Sequence, residues 1–526
     1  MKHLALILSI AFFSNPLFAT QDKELQQEIK KLQAQTEQLK KQLHSIKSRL
    51  VAQKTQPQQQ KIEKHRKAHR TIKPKTKIKE EGKHFHTSSL LVHTVEQDDE
   101  MMDFYPTALI ADGKVLTYVA GTPVVTSPYL GARPAFDGSD YIVNISSINR
   151  DLRLMEQRRR LYRAYKKIGY PKPNLPIIAL SGKAEPVAVI NRPYYRRTIA
   201  DLNLGSSELD VAAALNDKVE AYLSIAYDAT PPPIGPRVSN SLFSLNMGFV
   251  NIGDLDKTPF YFTAGQLFVP FGRYSTSMVS ATLPLRLTRT KSRPFILGYK
   301  SQANYGPYVA GYGFKSDTGL GHSGIGGVNA GYTIKAGPIS GDLGLGYISS
   351  ITDSTGMQDT GATPFTTFGG YASATNGTEL IRKVPGVDLH GNLSVDRFSF
   401  TAEWVGASKR FRAEDLSFNG RGAKPQAGQL EAGMTFMAFA KPASLAFSYQ
   451  WTKDSLALNL PKRRYSGVFN ISIWKDTVES LEYRHEIDYN ILQFANGASS
   501  PDFVNLNTFG TGRSSDAVVA QIGVFF

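Results

Sequence analysis

From about residue 177 to the end of the chain, apolar and polar residues alternate in short runs separated by turn residues. Val219, Ala221, Leu223, Ile225 and Tyr227 alternate with Glu220, Tyr222, Ser224, Ala226 and Asp228. Phe398, Phe400, Ala402 and Trp404 alternate with Ser399, Thr401 and Glu403, and Leu445, Phe447, Tyr449 and Trp451 with Ser444, Ala446, Ser448 and Gln450. A side-chain period of two puts one set on each face of a sheet. The pattern predicts sixteen strands, at 177–190, 207–215, 218–228, 241–251, 259–269, 294–301, 306–316, 324–335, 338–350, 386–394, 397–408, 428–440, 443–452, 464–474, 477–487 and 516–526. Their connections alternate in length. Asn216-Asp217, 252–258, 302–305, Ala336-Gly337, Val395-Asp396, Lys441-Pro442 and Lys475-Asp476 are short, whereas 191–206, 229–240, 270–293, 317–323, 351–385, 409–427, 453–463 and 488–515 are longer. Barrels of the outer membrane sort their turns in this way, and a soluble sandwich has no reason to. The expected fold is therefore an all-β transmembrane barrel of about sixteen antiparallel strands over 177–526. Val518, Ala520, Ile522, Val524 and terminal Phe526 alternate down the last strand, which is like the assembly signal of such barrels.

The residues before the barrel follow other periods. In 22–50, Leu25, Leu32, Leu39 and Ile46 fall at one heptad position and Ile29, Thr36, Leu43 and Leu50 at another. A seam that narrow is buried only by another helix, so 20–52 is expected to be a self-associating periplasmic coiled coil, with a trimer as the working number. Residues 53–100 are read as a linker. Its basic, Gln-rich part, 53–87, lacks the apolar residues for a core and is expected to be extended, either as a solvated spacer or in contact with peptidoglycan or anionic headgroups. Residues 101–176 are a plug-like or periplasmic segment. Within it Asn149 to Ile168 reads as a helix stopped by Gly169 and Pro171, with Leu152, Met155, Tyr162, Tyr165 and Ile168 on one side. Arg153, Arg158, Arg159, Arg160, Arg163, Lys166 and Lys167 lie on the other. This helix either plugs the barrel mouth or rests on headgroups.

Composition narrows the reading. The 526 residues include no cysteine, which removes disulfides and Cys-ligated metals. Residues 1–19 have the charged start, apolar stretch and small residue of a signal peptide, ending at Ala19. No later run is long and apolar enough for a transmembrane helix. The net charge of +16 is uneven: 20–100 carries 18 Lys/Arg against 11 Asp/Glu, 150–200 carries 13 against 3, and 201–526 carries 27 of each. A neutral barrel argues against a nucleic-acid partner. The expected location is the outer membrane, in contact with its lipids and lipopolysaccharide, with the N-terminus in the periplasm.

Candidate chemistry follows from the barrel. The third long connection carries Arg273, Arg286, Arg289, Lys291 and Arg293 and no acid. In general porins the third external loop folds inward, which here would make a cationic constriction favouring anions. The alternative is an outward loop whose cations meet lipopolysaccharide phosphates. Glu403, Glu482, Arg484 and Glu486 fall on the faces assigned to the lumen, because charge on a lipid face is costly. They are read as wall salt bridges more than as ligand contacts. No catalytic constellation, metal site or cofactor motif is found, and no enzyme is expected. The one glycine-rich match, Gly319 to Gly324, opens no helix.

The coiled-coil start, Thr122-Pro123-Val124-Val125-Thr126-Ser127-Pro128-Tyr129-Leu130-Gly131, the stretch from Tyr141 to Leu154, and Gly265-Gln266-Leu267-Phe268-Val269-Pro270-Phe271-Gly272 together resemble the LbtU-type siderophore porins, outer-membrane proteins related to a legiobactin receptor. The resemblance covers nearly the whole mature chain. It implies uptake of ferric siderophores without energy coupling through TonB, and it assigns no ligand residue. The reading is a porin for an anionic solute, with a ferric siderophore as the candidate. The alternative is a non-conducting anchor or adhesin tethered to the cell wall by its stalk.

Overall fold

The computed structural model describes the backbone of two short strand pairs, His86–Ser88 with Leu91–His93 and Val115–Val119 with Thr122–Thr126, and residues 149–526 apart from 169–174, 196, 229–241, 304, 317–323, 338, 363–381, 414, 475–476 and 496–508. The expected signal peptide, the coiled coil and the basic tract up to Lys83 lie outside the described residues.

Sixteen antiparallel strands close into a barrel. We number them β1–β16 in chain order. β1 combines Ile177–Ala184 and Val187–Arg192, and β2 combines Ile199–Asn203 and Glu208–Ala214. Then come β3 (Val219–Asp228), β4 (Leu242–Gly253), β5 (Phe260–Phe268), β6 (Phe295–Lys300), β7 (Gly306–Lys315) and β8 (Gly324–Ala336). They are followed by β9 (Ile339–Ile348), β10 (Gly386–Val395), β11 (Phe398–Ala407) and β12 (Gln426–Ala438). β13 (Lys441–Lys453), β14 (Arg463–Ile471), β15 (Thr477–Ile487) and β16 (Ser514–Phe525) complete the wall. Closure pairs β16 with β1, from Asp516↔Arg192 to Gln521↔Val187 and again at Phe525↔Lys183. At the seam Phe526 and Gly182 exchange backbone hydrogen bonds.

The strand faces have the polarity of a barrel in lipid. Leu223, Ile225, Leu343, Leu389, Phe400, Leu430 and Phe447 point outward and are exposed. Their neighbours Glu220, Tyr222, Asp342, Asp388, Glu403, Glu431 and Ser448 point inward and are buried. A soluble protein would pay heavily for that arrangement; a bilayer supplies the apolar solvent that makes it stable. The protein is thus a transmembrane β-barrel of the outer-membrane type. Among the described residues, no helix is long and apolar enough to cross a membrane.

The structure corrects the first hairpin. The expected loop 191–206 contains strand residues Ile199–Asn203, which pair with Val187–Asn191. Gly205-Ser206-Ser207 resembles a loop in sequence but forms a bulge that keeps β2 on β1. Gly205 has φ +57°, and a Cβ there would lie 2.1 Å from the Glu185 carbonyl oxygen, so this position requires glycine.

One feature lies outside the sixteen-strand pattern. Thr122–Thr126 pairs parallel to Ile178–Leu180, below the point where β16 ends, and Val115–Val119 pairs with it in turn. This hairpin covers a stretch of β1 edge that the last strand is too short to reach. Uncovered edges invite foreign pairing, so the hairpin completes the wall at the short-turn end.

Candidate functional site

Two elements enter the lumen. The first is α1 (Arg150–Ile168), uninterrupted by Gly or Pro until residue 169. Its start sits deepest in the barrel. Arg150 bonds the Tyr222 hydroxyl, which in turn bonds Asp210, and its guanidinium lies 3.8 Å from Glu208 and 3.9 Å from Asp210. The Asp151 carbonyl accepts from Asn251 at 3.0 Å, and its carboxylate accepts from Thr263 at 3.0 Å. Burial pushes that carboxyl above the usual carboxylate range, against the hydrogen bonds that favour its charged form.

Further along, α1 descends towards the short turns. Arg158 pairs with Glu220 at 3.2 Å and donates to the Gly253 carbonyl at 3.0 Å. Arg159 reaches the Ser301 and Gln302 carbonyls, and Arg163 pairs with Asp256 at 2.7 Å. Glu156 receives Lys300 from the wall at 3.5 Å. The helix therefore stands inside the mouth against β2–β6. The two-sided picture from the sequence needs correction, because Arg158 and Arg159 are buried like Leu152 and Met155. A polar inner wall accepts cations where a soluble core would reject them. The side chain of Arg160 lies outside the described residues.

The second element is the connection between β5 and β6, which folds into the lumen and crosses to the opposite wall. Glu403 on β11 accepts from the backbone amides of Arg273 and Tyr274 at 2.8 and 2.7 Å. Glu431 on β12 accepts from the Thr276 hydroxyl at 2.5 Å and the Ser277 amide at 2.6 Å. Glu482 on β15 accepts from the Ser280 amide at 2.8 Å, and Gln450 on β13 from the Leu283 amide at 2.8 Å. Arg464 on β14 donates to the Ala281 carbonyl at 2.7 Å, and Arg484 on β15 to the Ser280 hydroxyl at 2.8 Å. Thr282 caps the short helix α2 (Leu283–Thr288) through the Leu285 amide, and Pro284 suits its first turn. Leu283 and Leu287 are buried. Above it, α3 (Thr355–Ala362) rests on α2, with both the amide and the hydroxyl of Thr355 donating to the Arg289 carbonyl at 2.9 Å.

The five cations of this loop have different surroundings. Arg286 is exposed and lies within electrostatic reach of Arg464, Arg484 and Glu486. Glu486 bridges Arg464 at 2.7 Å and Arg484 at 3.3 Å, which leaves Arg286 as the exposed cation of the group. Arg273 is half-buried and faces the acidic side of the wall, near Asp342. The Arg289 guanidinium lies 4.4 Å over the Phe268 ring. Lys291 donates to Asn246 at 3.2 Å, and exposed Arg293 to Gln266 at 3.3 Å. On the far side, His390 sits between Asp388 at 2.6 Å and Asp342 at 3.5 Å, and Tyr308 donates to Asp342 at 3.0 Å. The inward loop and the wall around it are thus polarised, with a cationic group at Arg286 and an acidic wall at Asp342, Asp388 and Glu403.

The expected lumen charges Glu403, Glu482, Arg484 and Glu486 all point inward, and three of the four hold the loop directly. Sequence reasoning missed Glu431, Gln450 and Arg464. Strand parity was the available signal: Arg464 follows outward-facing Arg463 and must face the lumen. Among the described residues no group of His, Asp and Glu could hold a metal ion.

With this geometry established, the relatives are informative. A UPF0422 protein of Legionella pneumophila strain Philadelphia 1 is 62% identical over the full length of both chains. The chain belongs to the UPF0422 family. A second member, from Coxiella burnetii, is 34% identical over 406 residues, covering 76% of this chain and 83% of its own. No family model matches the chain. Among solved structures, the outer membrane channel DcaP of Acinetobacter baumannii aligns over 66% of this chain and 97% of its own, with TM-score 0.42 and 11% identity. An anion-selective porin from Comamonas acidovorans aligns over 67% and 100%, with TM-score 0.41 and 11% identity.

Proposed function

We propose that this UPF0422 protein is a passive outer-membrane channel for small anionic solutes, with its short turns in the periplasm and its long loops outside. The observation that carries this reading is Arg286, an exposed cation on an inward-folded loop that contains no acid, beside Arg464 and Arg484. An anion passing the loop replaces part of its hydration with these guanidinium groups, whereas a cation on that side meets repulsion. We read the lumen chemistry as one of binding and passage, and assign no catalytic step. The resemblance to siderophore porins makes a carboxylate-rich ferric siderophore the candidate solute, taken up without TonB, and a trimer the candidate assembly.

The test is the reversal potential of purified protein in planar bilayers under a salt gradient. Wild type should favour anions. Arg286→Gln should bring selectivity towards neutrality, and neutralising Arg289, Lys291 and Arg293 as well should carry it further. Unchanged selectivity in both would remove Arg286 from the mechanism. Helix α1 favours a second reading, a closed barrel serving as an anchor, because it occupies the periplasmic mouth. In that case the folded protein conducts nothing.

A further inference from the structure

The outer wall from β8 to β14 has a hollow that nothing in the pore account uses. Gly391 and Ala402 lie side by side on β10 and β11, and both face lipid. Larger residues rise around them: Leu343 on β9, Leu389 on β10, Phe400 on β11 and Leu430 on β12, all exposed. The result is two adjoining hollows of about 660 and 640 Å³, which share Leu343, Gly391, Ala402 and Leu430.

The hollow has a polar end. Towards the long loops the register runs Trp404↔Gly428↔Trp451↔Arg463, which sets two indoles and a cation at one level of the outer face. Gly428 lets the Trp451 ring lie flat, since a Cβ there would come within 2.3 Å of it. Tyr449 stacks on Trp451 with centroids 5.7 Å apart and packs on Tyr465 at 5.1 Å. Amphipathic rings of this kind mark the bilayer interface. At and above that level Lys453, Lys462 and Arg463 are exposed, and no ion pair among the described residues involves them.

We propose that this face binds a phosphorylated, multiply acylated lipid of the outer leaflet, with chains in the hollow and phosphate against Lys453, Lys462 and Arg463. Apolar volume, aromatic belt and unpaired cations follow one another in the order in which such a lipid presents chains, interface and headgroup. A second copy of the chain would fill the hollow, but it would bring three like charges towards their own copies around a symmetry axis. The proposal relies on the long loops being external and not on whether the pore conducts.

The test is native mass spectrometry of the full-length protein in detergent, with added diphosphoryl lipid A and with phosphatidylcholine as the control. Wild type should retain one diphosphoryl lipid A at a concentration at least tenfold below that needed for phosphatidylcholine. Lys453→Gln with Lys462→Gln and Arg463→Gln should abolish that preference. Gly391→Phe with Ala402→Phe should weaken retention at least tenfold with the cations intact, while both variants keep the heat-modifiable mobility of a folded barrel. Equal retention of the two lipids by wild type would overturn the proposal, as would undiminished binding by either variant. So would a groove variant that dissociates an oligomer and still binds lipid, because that assigns the face to a second copy.

Discussion

Removing two loop anchors, Glu403→Ala with Glu431→Ala, should release the constriction. Four donors lose their acceptors: the amides of Arg273, Tyr274 and Ser277 and the Thr276 hydroxyl. Hydrogen bonds to a charged acceptor contribute about 1.5–3 kcal/mol each, so the gross loss is about 6 kcal/mol or more. Two effects reduce it. Lumen water can satisfy some of the freed donors, and burying the two carboxylates is itself unfavourable, so deleting them recovers part of the cost. A net weakening of about 2–4 kcal/mol lowers the docked-to-undocked ratio about thirty- to a thousandfold. The barrel should survive, because the substitutions remove only side chains that project into the lumen and keep the backbone pairing of Glu403 and Glu431 with their neighbours. Single-channel recording should show a larger, noisier conductance with weaker anion preference, and Glu403→Gln alone should fall between variant and wild type. A folded double variant with wild-type conductance, noise and selectivity would refute the idea that these carboxylates hold the loop in the current path.

Three further perturbations probe other joints. Arg150→Met leaves Glu208 and Asp210 buried without their cation, which costs about 3–5 kcal/mol in comparable buried pairs, so α1 should loosen and periplasmic-side protease should cut it faster. Gly356→Ala places a Cβ 1.8 Å from the Arg286 carbonyl oxygen, so α3 must lift from α2 at a cost of about 1–3 kcal/mol, read as faster nicking of the 351–385 loop. Tyr489, buried among the long loops, accepts from the Ser455 amide at 3.1 Å and shares a 2.7 Å hydrogen bond with Thr452, and burial pushes its hydroxyl up to about 12. A raised phenol favours the folded loops fully below its ordinary value near 10, and that contribution is lost as pH rises through about 12. Protease sensitivity of the long loops should therefore climb between pH 10 and 12 in wild type and less in Tyr489→Phe.

The barrel was readable in the sequence because lipid and lumen demand opposite residues at every second position, and because turns and loops separate by length. The same code failed at β2, where Gly205-Ser206-Ser207 looks like a connection. There, pairing with β1 on both sides of the bulge outweighs local turn preference. The cations of the β5–β6 loop were visible as composition. The loop's anchors were visible only in part. Glu403 and Glu482 fall on lumen faces by strand parity, whereas Glu431, Gln450 and Arg464 were missed. The five come from five strands and meet the loop only after closure. The helix over 150–168 was plain from its period and its stop. Its orientation was not, because a polar lumen removes the usual link between hydrophobic face and burial, and Arg158 and Arg159 turn to Glu220 and to backbone carbonyls.

The most direct measurement uses the absence of cysteine from the chain. With Arg286→Cys as the single thiol, a membrane-impermeant anionic thiol reagent should reach residue 286 through the water column and reduce the current through a planar bilayer, leaving the cysteine-free parent unaffected. Modification of the thiol with no change in current, or a folded barrel that passes no current before the reagent is added, would contradict the account.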